Sequence, residues 1–139
     1  MSISSFTGKY EFLSNFYSHP MIFDGVEYSN AEAAFQAQSA ADKGLKRKFA
    51  RLSGIKAKAY GRRIVRRDDW DEYMQDSVMR DVLAAKFKDK ELAKKLCNTG
   101  DEKLINMNQF RDDYWGVTMC GGRNKLGLML MELRDKLQA

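Results

Sequence analysis

From Tyr73 to Phe87, apolar side chains return every three or four residues: Tyr73, Met74, Val78, Val82 and Ala85, with Met79 and Leu83 widening the stripe. An α-helix turns once per 3.6 residues, so this spacing lines one face with groups that must be buried. A stripe this long and wide predicts the central helix of the fold, packed on more than one side. Asp69 and Glu72 stand at capping-box spacing around Trp70 at its start. The neighbouring acids Asp68, Asp69 and Asp71 are accounted for by helix capping rather than by a divalent metal.

Other segments obey the same logic. Residues 31–41 are nearly all good helix formers and follow Ser29 and Asn30, either of which can cap the first turn. Residues 125–137 carry Leu126, Met129, Leu130, Leu133 and Leu137 on one stripe, and residues 90–97 form a shorter helix stopped near Gly100. Two short helices, 45–52 and 55–63, are divided at Ser53-Gly54. Met21-Ile22-Phe23 and Val26-Glu27-Tyr28 flank Asp24-Gly25, the signal for a hairpin closed by a tight type I′ turn. Residues 10–16 are read as partly extended, and residues 103–106 as a short strand. The expected fold is mainly α with a few short strands and one N-terminal β-hairpin, in a single compact domain spanning residues 1–139.

At 44% hydrophobic residues, 139 positions suffice for a core without disulfides or a structural metal. Cys97 and Cys120 lack C-x-x-C spacing and read as free thiols. No apolar run is long enough to span a bilayer and no signal-peptide pattern opens the chain, which predicts a soluble cytoplasmic protein. The single histidine, His19, cannot supply a multi-histidine metal site and is badly placed as the base of a nucleophilic triad. Acid–base chemistry therefore falls to carboxylates.

The net charge of +5 is unevenly distributed. Eleven of the 24 Lys and Arg lie between Lys43 and Arg67, a stretch with no acid. Such a segment draws phosphates, whether of nucleotides or of nucleic acid; it also fits a solvated helical face, with Leu45, Phe49, Leu52, Ile55 and Ala59 turned inward.

Two blocks carry the candidate chemistry. One is Ser14-Asn15-Phe16 followed by Ser29 to Gln38, in which Glu32 falls in the first turn of a helix, where the helix dipole favours a carboxylate. The other is Asp112-x-x-Trp115-Gly116 and the glycine turn Gly121-Gly122-Arg123-Asn124. It combines an acid, a flat stacking surface and glycines opening an amphipathic helix.

Together these blocks resemble the YbiA-like family, also called NADAR for its association with NAD and ADP-ribose. The resemblance runs from Phe12-Leu13-Ser14-Asn15-Phe16 to Leu130-Met131-Glu132-Leu133-Arg134. It takes in Glu32-x-x-Phe35-Gln36-Ala37-Gln38, Gly61-Arg62, Trp70, Asp112-x-x-Trp115-Gly116 and Gly122-Arg123-Asn124-Lys125-Leu126-Gly127. One departure is Asn106, where the family often has an acid, within a slightly longer segment leading to Asp112.

The resemblance implies an N-glycosidase acting on riboflavin-pathway ribosylamine phosphates or on ADP-ribose attached to guanine. Breaking a C1′–N bond builds positive charge on the ribose, which a fixed carboxylate opposes while another activates water. Glu32 and Asp112 are assigned these tasks jointly, with Asp112 preferred near the reacting centre and Glu32 near ribose hydroxyls or water. The order between them stays open. Trp115 and Trp70 offer stacking surfaces for the base, while backbone N–H groups of Gly121, Gly122 and Asn124 would meet a phosphate, with Arg62 or Arg123 as counter-charge. Asn15, Phe16, Gln36 and Gly116 complete the expected substrate-binding set; no metal or cofactor is required. The expected partner is a nucleotide-like small molecule, or ADP-ribosylated nucleic acid docked through the basic segment. Two other classes remain: a module that binds ADP-ribose or ADP-ribosylated nucleic acid without cutting it, and a plain nucleic-acid-binding domain.

Overall fold

The computed structural model describes residues 1–108 and 111–139. In chain order the elements are β1 (Ser2–Ile3), a 3-10 turn (Gly8–Leu13), β2 (Met21–Phe23), β3 (Val26–Tyr28), α1 (Ala31–Gln38), a second 3-10 turn (Lys43–Leu45), α2 (Lys46–Phe49), α3 (Gly54–Gly61), α4 (Glu72–Lys86), α5 (Lys90–Cys97), β4 (Lys103–Leu104) and α6 (Lys125–Gln138). The fold is mainly helical with a few short strands, as the sequence predicts. No helix among the described residues is long and apolar enough to cross a membrane.

The elements group into two compact units, one formed by Asn15–Phe87 and the other by Met1–Ser14 with Lys88–Ala139. In the first unit the hairpin is the predicted one, antiparallel, with Met21 opposite Tyr28 and Phe23 opposite Val26. Asp24 and Gly25 both take positive φ, 49° and 80°, as a type I′ turn demands.

The central helix is not α4. Every residue of α1 is buried, including Glu32, Gln36 and Gln38, and it packs against α2, α3, α4 and β3. Its alanines let neighbouring backbones approach from all sides, so its sequence carries no one-sided stripe. Asn30 caps it, its side chain accepting from Ala33 N–H at 2.8 Å. By contrast α4 buries a single seam, Met79, Val82, Leu83 and Lys86, and leaves Tyr73 exposed. Its cap is Asp71, which accepts from Met74 N–H at 2.8 Å; Asp69 instead grips Arg67 through two bonds of 2.6 and 2.8 Å.

In the second unit β1 pairs with β4 in parallel, Ser2 beside Lys103 and Ile3 beside Leu104. β4 is the first half of the short strand that the sequence predicts over residues 103–106, whereas two-residue β1 leaves no sequence pattern of its own. Residues 8–13 form a 3-10 turn burying Phe12 and Leu13, where the sequence predicts extended chain. Helix α6 packs on α5 and β4 through Leu126, Met129 and Leu130, whereas Leu137, predicted to share the stripe, is substantially exposed. Arg134 is buried instead, donating to Thr99 Oγ1 (3.0 Å) and to the Glu102 carbonyl (2.7 Å). Both thiols are free.

Candidate active site

The predicted site residues divide between the two units. In the first, Glu32 sits in the first turn of α1 with only 7% of its surface exposed. Its backbone N–H, one of the donors that a helix start leaves unpaired, is satisfied by the Asn15 carbonyl at 3.0 Å. Gln36, one turn on, donates from Nε2 to Glu32 Oε2 at 2.8 Å. A carboxylate of an ionised glutamate only accepts, so this bond also fixes which end of the Gln36 amide faces it. Gln36 thereby orients the carboxylate.

The other end of that amide lies over Gly61, the last residue of α3. Any side-chain carbon at position 61 would overlap Gln36 Oε1 and come within 2.9 Å of its Cδ. The Gly61-Arg62 pair thus has a steric meaning: the glycine makes room for the residue that holds the glutamate. Gly61→Ala is expected to swing Gln36 off Glu32 and lower turnover about tenfold. Because alanine favours a helix by about 1 kcal/mol over glycine, the melting temperature should move little. Kinetics beside a thermal melt check this, and unchanged turnover overturns it.

Asn15 is 6% exposed; its Nδ2 points at the weak acceptor Met79 Sδ (3.3 Å) and its buried Oδ1 has no hydrogen-bond partner among the described residues. Leaving such an acceptor unmade costs about 1–3 kcal/mol, a cost that a bound hydroxyl or amine would remove. Phe16 lies so tightly against Gly54 that a Cβ there would fall 2.5 Å from the ring. Trp70 is half-buried, its ring 5.4 Å from that of Phe35 on α1, and Arg62 is exposed at the end of α3.

Lys86 is a buried cation that sequence reasoning missed. Only 4% exposed at the end of α4, its Nζ lies 5.2 Å from the Phe87 ring centroid and 5.9 Å from that of Tyr17. Burial pushes its ammonium down from 10.5 to about 7. The signal was present: position 86 continues the seam of Met79, Val82 and Leu83 by helical spacing.

In the second unit Asp112 shapes its own loop. Its Oδ1 accepts from Tyr114 N–H (3.1 Å) and Trp115 N–H (2.9 Å). Asn108 braces it from the other side, Nδ2 to the Asp112 carbonyl (2.9 Å) and Oδ1 from Asp112 N–H (3.1 Å). The longer segment noted before Asp112 includes residues 109 and 110, which lie outside the described residues. Asn106 donates to the Trp115 carbonyl (3.4 Å) and, through its N–H, to Asn124 Oδ1 (2.9 Å). An amide at that position therefore ties the loop together, which a carboxylate could not do as a donor.

The glycine turn departs from expectation. The N–H groups of Arg123, Asn124, Lys125 and Leu126 donate to the carbonyls of Asp113, Gly116, Tyr114 and Trp115, at 2.7 to 3.2 Å. They are therefore not open to a phosphate. Asn124 adopts a left-handed conformation and donates from Nδ2 to the Leu104 carbonyl at 3.0 Å. Gly122 is needed because a side chain there would overlap the carbonyl of buried Gly116. Of the three N–H groups expected to meet a phosphate, that of Gly121 is likewise engaged, by the Thr118 carbonyl at 3.0 Å, and that of Asn124 by the Gly116 carbonyl. Arg123 lies over the Tyr114 ring at 4.8 Å, joined by Lys125 at 5.6 Å, and Trp115 stands edge-on to Tyr114 with centroids 4.8 Å apart.

Residues 4–138 match the model of the NADAR domain. The chain belongs to the NADAR family. The match extends across both units. N-glycosidase YbiA of Shigella flexneri is 37% identical over 129 residues, covering 89% of this chain and 79% of that protein. A riboflavin biosynthesis protein of Vibrio vulnificus is 35% identical over 135 residues, 91% of this chain and 35% of that longer protein. The NMR structure of Escherichia coli YbiA superposes with a TM-score of 0.85 at 35% identity, covering 99% of this chain and 85% of that one.

Proposed function

We propose that this N-glycosidase of the NADAR family hydrolyses the C1′–N bond of a phosphorylated ribosyl base, either ADP-ribose joined to guanine or a riboflavin-pathway ribosylamine phosphate. The observation that carries the reading is Glu32, a buried carboxylate in the first turn of the innermost helix, locked by Gln36 and by the backbone of Asn15. A module that merely binds ADP-ribose has no need of such a group.

In the reaction, the bond from C1′ to the base nitrogen breaks and a bond from water oxygen to C1′ forms. The water's proton leaves to a carboxylate, and the departing nitrogen takes up a proton. Glu32 and Asp112 are the assigned acid–base pair, Glu32 at water or ribose hydroxyls and Asp112 opposing positive charge at C1′. Asn15 Oδ1 supplies an acceptor for a sugar hydroxyl or an exocyclic amine. Trp70 and Trp115, both half-buried, offer ring faces to the base. Arg62 and Arg123 supply phosphate counter-charge through their guanidinium groups. The two free thiols fit a cytoplasmic setting.

The test is to incubate the protein with an ADP-ribosylated guanine oligonucleotide and, separately, with the pyrimidine ribosylamine phosphate, following free base and free sugar by mass spectrometry. Release from either one, and at least a hundredfold faster from one than from the other, is the expected result. Stable binding of both with neither cut would replace the enzyme reading with that of a binding module.

A further inference from the structure

Between α2 and α3 lies a cavity of about 440 Å³ lined by Lys48, Leu52, Lys56, Ala59, Tyr60 and Arg63. None of these six belongs to the predicted catalytic set. The volume falls within the roughly 300–1,000 Å³ of small-ligand clefts. We propose that this hollow is a docking groove for single-stranded nucleic acid, taking one base against Tyr60 and the flanking phosphates on Lys48, Lys56 and Arg63. The inference rests on the reading that the substrate base is carried on a nucleic-acid strand, and it assigns that strand a place on the protein.

Three observations converge. The first is charge: the groove is cut into the acid-free segment between Lys43 and Arg67. Two other cations of that segment have carboxylate partners, Lys46 with Asp24 at 3.9 Å and Arg67 with Asp69 at 2.6 Å. Lys48, Lys56 and Arg63 have no ion-pair partner among the described residues, and all three are exposed. Three unneutralised cations around one opening carry more charge than a single phosphate needs and suit a polyanion.

The second is the floor. Tyr60 meets Phe49 at a tilt of 45°, centroids 4.9 Å apart, and is only half-buried, so one part of its ring is anchored while the rest lines the hollow. A fixed aromatic surface among cations is the arrangement that stacks any base regardless of sequence. The third is shape. A bilayer is engaged by apolar groups that project, whereas Leu52, Ala59 and Tyr60 line a concavity into which a splayed base fits. Exposed Ile55 on the same helix α3 makes anionic vesicles the appropriate competitor in the test.

The experiment measures anisotropy of a fluorescein-labelled, unmodified 12-nucleotide single strand with the full chain across a salt series. It is run beside sedimentation with phosphatidylserine vesicles. Saturable binding to the oligonucleotide is expected, with a log–log salt slope near −2, since each phosphate contact on single strands contributes about 0.7. The variant Lys48→Ala/Lys56→Ala/Arg63→Ala should bind at least thirtyfold more weakly with a flattened slope. Tyr60→Leu, which keeps an apolar contact to Phe49, should bind at least fivefold more weakly without a change in slope. All the cations removed are exposed, so circular dichroism melts of the triple variant should match wild type. Wild-type affinity in the triple variant overturns the proposal, as does vesicle capture without oligonucleotide binding. Hydrolysis is not read, so the outcome is separable from that of the catalytic assignment: groove-dependent binding without base release would sink the activity and leave the groove standing.

Discussion

Glu32→Gln is expected to lower turnover at least a hundredfold while leaving the fold intact. That factor is the usual contribution of a positioned acid–base group. The substitution isolates charge. Glutamine has the same shape, and its amide oxygen can still accept from Gln36 Nε2, so the hydrogen bond that holds position 32 survives. The isosteric exchange leaves the packing of α1 in place, so circular dichroism should report the same fold. Asp112→Asn is the matched experiment. Its Oδ1 still receives the N–H groups of Tyr114 and Trp115, whereas Asp112→Ala loses both bonds at about 1 kcal/mol each and opens the loop. Loss of turnover in the Asn variant therefore reports the missing charge, and any further loss in the Ala variant reports the loop. Undiminished turnover in both Glu32→Gln and Asp112→Asn would remove the carboxylate assignment.

These residues also show where sequence was legible and where it was not. The hairpin could be read because Asp24-Gly25 dictates its geometry locally, through two positive φ angles that few other dipeptides accept. The extents of α4, α5 and α6 follow from their apolar stripes, which are likewise local, although the cap of α4 falls to Asp71 rather than Asp69. What escaped is what depends on how many neighbours a helix has. The alanine-rich α1 has no stripe to announce its burial, because a helix packed on all sides needs small residues rather than a one-sided pattern. The wide stripe of α4 proclaimed a centrality that the fold gives to α1. The glycine turn offered donors on paper, but carbonyls of residues 113–116 had already engaged the N–H groups of residues 123–126. No spacing rule reveals such pairing. Asp112 is an intermediate case: an acid two and three residues before N–H groups it can accept from is a local motif, readable as loop-forming as well as catalytic.

Lys86→Met is expected to make the protein more stable and less active. The buried amine titrates near 7 in the folded chain against 10.5 when unfolded, a gap equivalent to about 5 kcal/mol. The sign follows from proton counting. Below pH 7 both states hold the proton, and the folded state carries the net cost of the buried charge. Between 7 and 10.5 the unfolded state binds more protons, so stability rises with pH. Above 10.5 the penalty is gone. The Met variant lacks this term and fills similar space beside Phe87. It should therefore melt higher than wild type at pH 6, by on the order of 10 °C. The advantage should shrink to less than half by pH 9.5. A cation kept at such cost, on the core seam of α4 and titrating at neutrality, is the kind of group that functional sites retain at the expense of stability. Turnover of the variant is accordingly expected to fall at least tenfold, with loss of any pH dependence centred near 7. Melting curves at pH 6 and 9.5 and a pH–rate profile check both halves. A Met variant that melts below wild type at pH 6 would mean that neighbouring groups stabilise the ammonium more than burial opposes it.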